Sequence, residues 1–140
     1  MRQLIVCEKT NRWAVALRWA LHGSGTRVYE TRSWPDCWQA WRNAPDSALA
    51  LQLRRDNVTD LVRHLTCVRE QAPQALIAVL AEREMRACEW LLREAGALHV
   101  ACSPGDLGPL ARLLVRALRD VPPAASPEGL ALRARLPWGD

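Results

Sequence analysis

The chain contains no phenylalanine and a single tyrosine, so tryptophan, present seven times, supplies almost all of its aromatic surface. Indole rings bury a large area and keep a hydrogen-bond donor, which makes them frequent in cores and at protein interfaces. Trp13, Trp38 and Trp41 fall on core-facing or half-buried sides of predicted helices. Trp19 and Trp34 are weaker candidates for an outward orientation. The composition therefore predicts a core packed partly by tryptophan, with other indoles at the surface.

Lysine is nearly absent too, since Lys9 stands beside 18 arginines, and 15 acidic residues leave a net charge of +4. The arginines are scattered through the predicted helices, whereas a nucleic-acid-binding domain usually shows a concentrated basic patch. We therefore expect no nucleic-acid partner. The tail LALRARLPW and the arginines of the last predicted helix (Arg112, Arg116 and Arg119) are the only features that favour one.

No apolar run approaches the roughly 20 residues that a membrane-spanning helix requires. The run at residues 75–81 is among the longest. Met1, Arg2 and Gln3 lead directly into a strand-like segment, unlike the charged and then apolar start of a signal peptide. We expect a cytoplasmic protein without a membrane partner.

Motifs for metal, cofactor or covalent chemistry are missing as well. The five cysteines form no CxxC pair, and the histidines show no ligand spacing with them. CEKTNRW follows the first predicted strand where a phosphate-binding loop would be rich in glycine, and there is no G-x-S-x-G. We therefore predict no catalytic residue, metal or cofactor, and interpret the cysteines as small buried residues in a reducing compartment. The cysteines are Cys7, Cys37, Cys67, Cys88 and Cys102, and the histidines are His22, His64 and His99.

The sequence does have a strict alternation of short apolar segments with amphipathic ones. The apolar segments predict buried strands and the amphipathic ones predict helices. The strands are LIVC (4–7), RVYE (27–30), ALALQL (48–53), ALIAVLA (75–81) and LHVAC (98–102). This alternation is typical of an α/β fold with a doubly wound parallel sheet and helices on both faces. We predict five strands in the order 2-1-3-4-5 in a (βα)5 three-layer sandwich, with the polar RVYE at an edge.

Composition changes once, after residue 121. Residues 1–121 are predicted to form one domain. PPAASPEG and LALRARLPWGD (122–140) are predicted to be a proline-rich linker and a C-terminal tail, because the first segment has no apolar face.

The segments AGALHVACSP (95–104) and APDSALALQL (44–53) resemble parts of a known family, the receiver domain of bacterial two-component response regulators. The first is similar to that family's alanine-glycine-alanine turn, fifth strand and lysine-proline. The second is similar to the approach to its phospho-acceptor strand. The resemblance extends from Arg2 to about Val121, and it implies a flavodoxin-like fold and a role in signal transduction.

In that family two acids after the first strand and an acceptor aspartate after the third hold Mg²⁺, which prefers oxygen ligands. A hydroxyl after the fourth strand and a lysine after the fifth contact the phosphoryl group. The resemblance places these five positions on Cys7, Glu8, Gln52 (or Leu51, if the alignment slips by one), Ala81 and Ser103. Only Glu8 keeps suitable chemistry, so the resemblance implies a pseudo-receiver that has lost phosphotransfer. In the simplest interpretation Glu8 and Lys9 are solvated loop residues, and Asp56 belongs to the start of a helix.

Trp90 is the candidate for a contact surface. In the fourth predicted helix, EREMRACEWLLREAGA (82–97), an apolar stripe should face the sheet and turn Trp90 outward beside Arg86 and Arg93. The residues of that stripe are Cys88, Leu91, Leu92 and Ala95. In receiver domains the face of the fourth helix, fifth strand and fifth helix commonly meets a partner or a second copy. We therefore predict that Trp90, Arg86 and Arg93 bind a protein partner, or a second copy in a homodimer.

Together these expectations describe a non-phosphorylatable, receiver-like regulatory module that acts through protein contact and is not an enzyme. Two alternatives stay open, namely a degenerate flavodoxin-like binder of a nucleotide or flavin, and a regulator recruited to nucleic acid. An absorption spectrum of the purified protein tests for a flavin, and salt-dependent retention on DNA tests for nucleic-acid binding.

Overall fold

Five parallel strands form one sheet in the order β2-β1-β3-β4-β5, as predicted. The structure is a computed structural model and describes residues 2–97, 99–101 and 107–119. The strands are β1 (Arg2–Cys7), β2 (Thr26–Thr31), β3 (Ala48–Leu53), β4 (Ile77–Ala81) and β5 (His99–Ala101). The helices are α1 (Arg12–Ala20), α2 (Trp34–Asn43), α3 (Val58–Gln71), α4 (Glu89–Glu94) and α5 (Leu107–Arg119), and a 3₁₀ helix (Arg83–Cys88) precedes α4. Among the described residues, no helix is long and apolar enough to span a bilayer. The predicted linker and tail at 122–140 lie outside those residues.

The burial of each strand follows its place in the sheet. β3 and β4 have a strand on either side and helices over both faces, so nearly all their side chains are buried. Gln52 in β3 is half-buried. The edge strand β2 alternates between half-buried and exposed residues as far as Glu30, a polar pattern that discourages pairing with other chains.

Two apolar cores cover the two faces of the sheet, as the three-layer prediction required. Successive residues of a strand point to opposite faces. On one face α1 and α5 lie over small side chains such as Ala48 and Ala50, and the fully buried Trp13 fills the space. On the other face the core contains larger strand residues such as Leu49 and Ile77, packed against side chains of α2, α3 and α4.

Local side-chain chemistry determines where the helices begin and end. The Ser33 hydroxyl accepts a hydrogen bond from the Asp36 backbone N–H at 3.4 Å and caps the start of α2. Asn57 occupies the N-cap position of α3, but its side chain bonds backward to Arg54 and Gln52 instead of into the helix. After α1, Gly23 and Gly25 take φ angles of 79° and 80°, a backbone conformation that other residues adopt only at a cost.

The prediction of one continuous fourth helix over residues 82–97 is wrong. The segment is a 3₁₀ helix followed by the short α4. A 3₁₀ helix has about 3.0 residues per turn, so an apolar stripe drawn at 3.6 residues per turn loses its register across the segment. Leu92 is fully buried as expected, whereas Leu91, also expected to face the sheet, is 36% exposed.

Leu80→Ala should lower the free energy of unfolding by about 2 to 5 kcal/mol, because truncating a fully buried side chain in a central strand leaves a cavity. Leu91→Ala removes the same atoms from a partly exposed position and should cost about 1 kcal/mol or less. Urea denaturation of both variants measures the difference. Equal losses at the two positions would contradict the assignment of β4 to the centre of the sheet.

Candidate functional site

A pocket of about 310 Å³ opens at the carboxyl ends of β1 and β3. The strand order reverses between these two strands, and open α/β sheets bind ligands at such a switch point. The segments that follow β1, β2 and β3 all contribute to its lining. Three of the phosphate-site positions, Cys7, Glu8 and Gln52, are brought together here.

Glu8 is buried, with 2% of its surface exposed, so the expectation of a solvated loop residue is wrong. One carboxylate oxygen accepts hydrogen bonds from the Trp13 backbone N–H (3.1 Å) and the Thr10 hydroxyl (3.3 Å). The other accepts a bond from the Ala14 backbone N–H (2.7 Å). These amides belong to the first turn of α1, where the helix dipole favours a negative charge. Both oxygens of Glu8 are therefore engaged in holding α1 against the end of β1.

Gln52, at the predicted acceptor position, joins two loops through neutral groups. Its side-chain oxygen accepts a hydrogen bond from the Lys9 backbone N–H at 3.0 Å. Its backbone carbonyl accepts one from the Asn57 side-chain amide at 2.9 Å, and Asn57 Oδ1 accepts one from the Arg54 backbone N–H at 2.6 Å. The loops that follow β1 and β3 are thereby tied together.

The remaining phosphate-site positions carry no polar chemistry in the part of the chain that the structure describes. Ala81 ends β4 and is fully buried in the core beneath α2, α3 and α4. Leu51, the alternative acceptor position, is 2% exposed in the same core. Ser103, at the lysine position, lies outside the described residues.

Cys7 and Cys37 form a thiol pair that their sequence spacing did not indicate. Both are free, and Cys7 lines the pocket while Cys37 is buried in α2. A hydrogen bond from the Cys37 thiol lowers the pKa of Cys7 against the effect of burial, with smaller lowering contributions from Thr31 and Arg54. The same contact, together with burial, raises the pKa of Cys37. Cys7 is therefore the more readily ionised and more accessible thiol of the pair.

Among the residues that the structure describes, three cations line the pocket, namely Lys9 after β1, Arg32 after β2 and Arg54 after β3. Arg32 pairs with Glu30 at 2.9 Å, and Arg54 pairs with Asp56 at 3.4 Å. Asp56 lies in the loop before α3 and is 70% exposed at its side chain, so it is not a buried acid of the site. The loops that carry Mg²⁺ ligands in receiver domains here carry positive charge.

An aromatic wall borders the pocket on the side of α2 and α3. Trp34, a weaker candidate for an outward orientation, is half-buried and stacks on His64, with ring centroids 4.0 Å apart and planes within 6°. Trp38 and Trp41 continue a row of neighbouring indoles along α2. Burial lowers the pKa of His64, which favours the neutral form of its imidazole.

The α4 surface, which we define as Arg86, Trp90 and Arg93, lies on a different part of the domain. Trp90 is 69% exposed, as its predicted outward orientation required, and both arginines are exposed. Arg93 pairs with Glu89 at 3.4 Å. The α4 surface adjoins β5, because α4 contacts that strand. Burial and then the charge of Arg93 lower the pKa of His99 in β5. Binding of a partner at the α4 surface stays a prediction.

Sequence reasoning missed two of the pocket cations, Arg32 and Arg54, and the Trp34–His64 stack. Arg32 and Arg54 directly follow β2 and β3, and the carboxyl ends of parallel strands meet at one edge of a sheet. That rule was available from the sequence. The stack was not, since it depends on how α2 and α3 are oriented against each other.

Glu8→Ala should lower the free energy of unfolding by about 1 to 3 kcal/mol, because the buried amides of Trp13 and Ala14 lose their acceptor. Glu8→Gln should lose less, since one side-chain oxygen remains. Glu84→Ala, at an acid with a side chain 51% exposed, is the control and should cost about 0.5 kcal/mol or less. Urea denaturation gives all three values, and a Glu8→Ala loss as small as the control would contradict the capping role.

Comparison with known proteins places this geometry in a fold. No protein-family model matches the sequence, and no curated protein matches it. A response regulator receiver domain protein from Clostridium thermocellum has a TM-score of 0.68 at 11% identity, covering 85% of this chain and 98% of that one. A CheY-like protein, TadZ, from Pseudomonas aeruginosa PAO1 has 0.68 at 12% identity, covering 82% and 94%. The beryllofluoride-activated NtrC4 receiver domain dimer has 0.72 at 12% identity, covering 87% and 100%. At these identities the likeness concerns the fold alone, and the chain has the fold of response regulator receiver domains.

Proposed function

We propose that this chain is a receiver-like signalling module that does not accept a phosphoryl group and that acts through protein contact. Its likeness to receiver domains supports a role in signalling. In this proposal residues 1–121 form the working domain, and residues 122–140 are a linker and tail.

The observation that carries the loss of phosphotransfer is the bonding of Glu8 and Gln52. Mg²⁺ requires near-octahedral coordination by oxygen, and phosphoryl transfer depends on that ion to neutralise charge. Glu8 is a single carboxylate, and both of its oxygens already accept hydrogen bonds from the α1 amides, which leaves little capacity to organise a metal site. Gln52 carries an amide, which does not form an acyl phosphate, and its oxygen already accepts a hydrogen bond from Lys9. At the carboxyl ends of β1 and β3, Glu8 therefore holds the start of α1 and Gln52 ties two loops together.

Exposure of the α4 surface supports the protein-contact part of the proposal. Trp90 presents a large indole to solvent, and tryptophan and arginine are the residues that most often dominate binding at interfaces. Glu89 adds a negative charge beside Arg93, a mixture of signs that suits a protein partner better than a polyanion. One solved structure with this fold is a receiver domain dimer, so a second copy is the first partner to test.

Incubation with a small phosphodonor and Mg²⁺ should leave the intact mass of the protein unchanged, because the acceptor position carries an amide. Mass spectrometry measures the outcome, with an active receiver domain treated in parallel as the positive control. A phosphoryl group that is stable at neutral pH and lost in base would mark an acyl phosphate and would overturn the proposal.

Trp90→Ala should weaken association by about 2 kcal/mol or more, the usual cost of truncating a central interface tryptophan, while the melting temperature hardly changes. Trp19→Ala is the matched control, since Trp19 is 78% exposed on α1, away from the α4 surface. Size-exclusion chromatography with light scattering over a concentration series follows both variants. A wild type that is monomeric throughout would remove the homodimer, and early melting of Trp90→Ala would show that the indole is part of the core.

A further inference from the structure

The pocket at the ends of β1 and β3 has the size and position of a ligand site. Its volume of about 310 Å³ reaches the range of roughly 300 to 1,000 Å³ typical of small-molecule pockets. It lies at the topological switch point of the sheet, and three separate loops form its walls. None of the contacts described for Glu8 or Gln52 fills it.

The charges around the pocket favour an anion. Lys9, Arg32 and Arg54 contribute positive charge, and Glu8 and Asp60 are the acids of the lining within the described part of the chain. The carboxylate of Glu8 is turned to the α1 amides. Asp60 has an arginine, Arg63, within 3.7 Å. Burial lowers the pKa of His64, which favours its uncharged imidazole.

The lining arginines can exchange their present partners for a ligand at small cost. Asp56, the partner of Arg54, is largely exposed, and such surface ion pairs contribute little free energy. Glu30, the partner of Arg32, also pairs with Arg18 at 2.8 Å and stays paired if Arg32 turns away. Lys9 makes no ion pair with any carboxylate in the described part of the chain.

The other walls indicate what kind of anion fits. Trp34, Leu51 and Leu61 supply apolar surface next to the cations. The Gln52 side chain also lines the pocket, and its amide N–H₂ is a donor while its oxygen is engaged by Lys9. An inorganic ion would leave the apolar walls without a partner, whereas an organic anion satisfies both surfaces.

We propose that this pocket reversibly binds a small organic anion, a carboxylate or a phosphate ester carrying an apolar body, with Arg32 and Arg54 as its anchors. Such a ligand bridges the loops after β1, β2 and β3, and its binding is non-covalent. The pocket is formed from other elements than the α4 surface, so the proposal stands whether or not that surface binds a partner.

The first test is an NMR titration of ¹⁵N-labelled full-length protein with phenyl phosphate and, separately, with benzoate, each up to about 10 mM, a range that detects weak binding. Benzamide, which has the shape of benzoate without its charge, is the neutral control. At least one anion should saturate and shift the signals of Lys9, Ser33, Arg54 and the Gln52 side chain, and comparing the two anions identifies which head group is preferred. Absence of shifts with both anions, equal shifts with benzamide, or shifts spread over all exposed arginines would overturn the proposal.

The second test uses variants. Arg54→Gln should raise the Kd of the better anion by about tenfold or more, because the ligand loses a hydrogen bond to a charged group. Arg55→Gln removes the same charge from the next residue, which pairs with Glu84 and does not line the pocket, and should leave the Kd nearly unchanged. Equal effects of the two substitutions would reduce the binding to net charge and overturn the assignment.

The third measurement reports on the same site without NMR. Cys7 lines the pocket, so a saturating anion should slow its alkylation by iodoacetamide relative to Cys67 and Cys88, which lie outside the lining and serve as internal references. Peptide mass spectrometry resolves the three rates. Slowing of all three cysteines together would show a global effect and contradict binding at this pocket.

Discussion

The arrangement of the loops at the carboxyl ends of β1 and β3 depends on the hydrogen bonds of the buried Glu8 carboxylate. A charged group with 2% exposure is stable only when its oxygens are fully bonded, and the first amides of α1 meet that requirement. This fixes the direction in which α1 leaves β1. Trp13, whose backbone N–H is one of the donors, then lies with its ring fully buried beneath the helix. One residue thus joins the end of a strand, the start of a helix and the core.

The hydrogen bonds of Glu8 also affect the electrostatics at the carboxyl ends of β1 and β3. In receiver domains the acids after the first strand face a cation, whereas here the only retained acid faces away into α1. Neutral amides of Gln52 and Asn57 tie the loops together. With no free acid pointing outward from these positions, the arginines after β2 and β3 determine the sign of the field in the pocket. In the proposed function, the loss of metal binding and the basic character of the cavity have the same structural basis, the hydrogen bonds of Glu8 and Gln52.

Apolar periodicity predicted the five strands, the edge strand and the three layers, because burial on both faces leaves a continuous run such as ALALQL and an edge leaves alternation such as RVYE. The strand order itself was predicted by analogy with flavodoxin-like folds, and the polarity of the strands agreed with it. The periodicity gave a wrong prediction after β4, where a 3₁₀ helix replaces the expected α-helical turns. The 3₁₀ helix after β4 rotated Leu91 toward solvent, and only backbone geometry records that change. At the site, the identity of Glu8 was readable but its direction was not, since the hydrogen bonds to α1 depend on the conformation of the loop. The Cys7–Cys37 contact depends in the same way on how α2 packs against β1.

The central strands present more alanines to one face of the sheet than to the other, and this determines how individual positions tolerate sequence change. Beneath α1 and α5 they present Ala48, Ala50 and Ala78 next to the larger Leu80, and a methyl group added at one of these alanines meets a filled space. The opposite face presents mostly leucine, isoleucine and valine, where removing atoms leaves a void. The alanine positions are therefore limited by an upper bound on volume, and the large aliphatic positions, Leu80 included, by a lower bound. Over evolutionary time the first set should drift among the smallest residues and the second among the large aliphatic ones, with little exchange between the two sets.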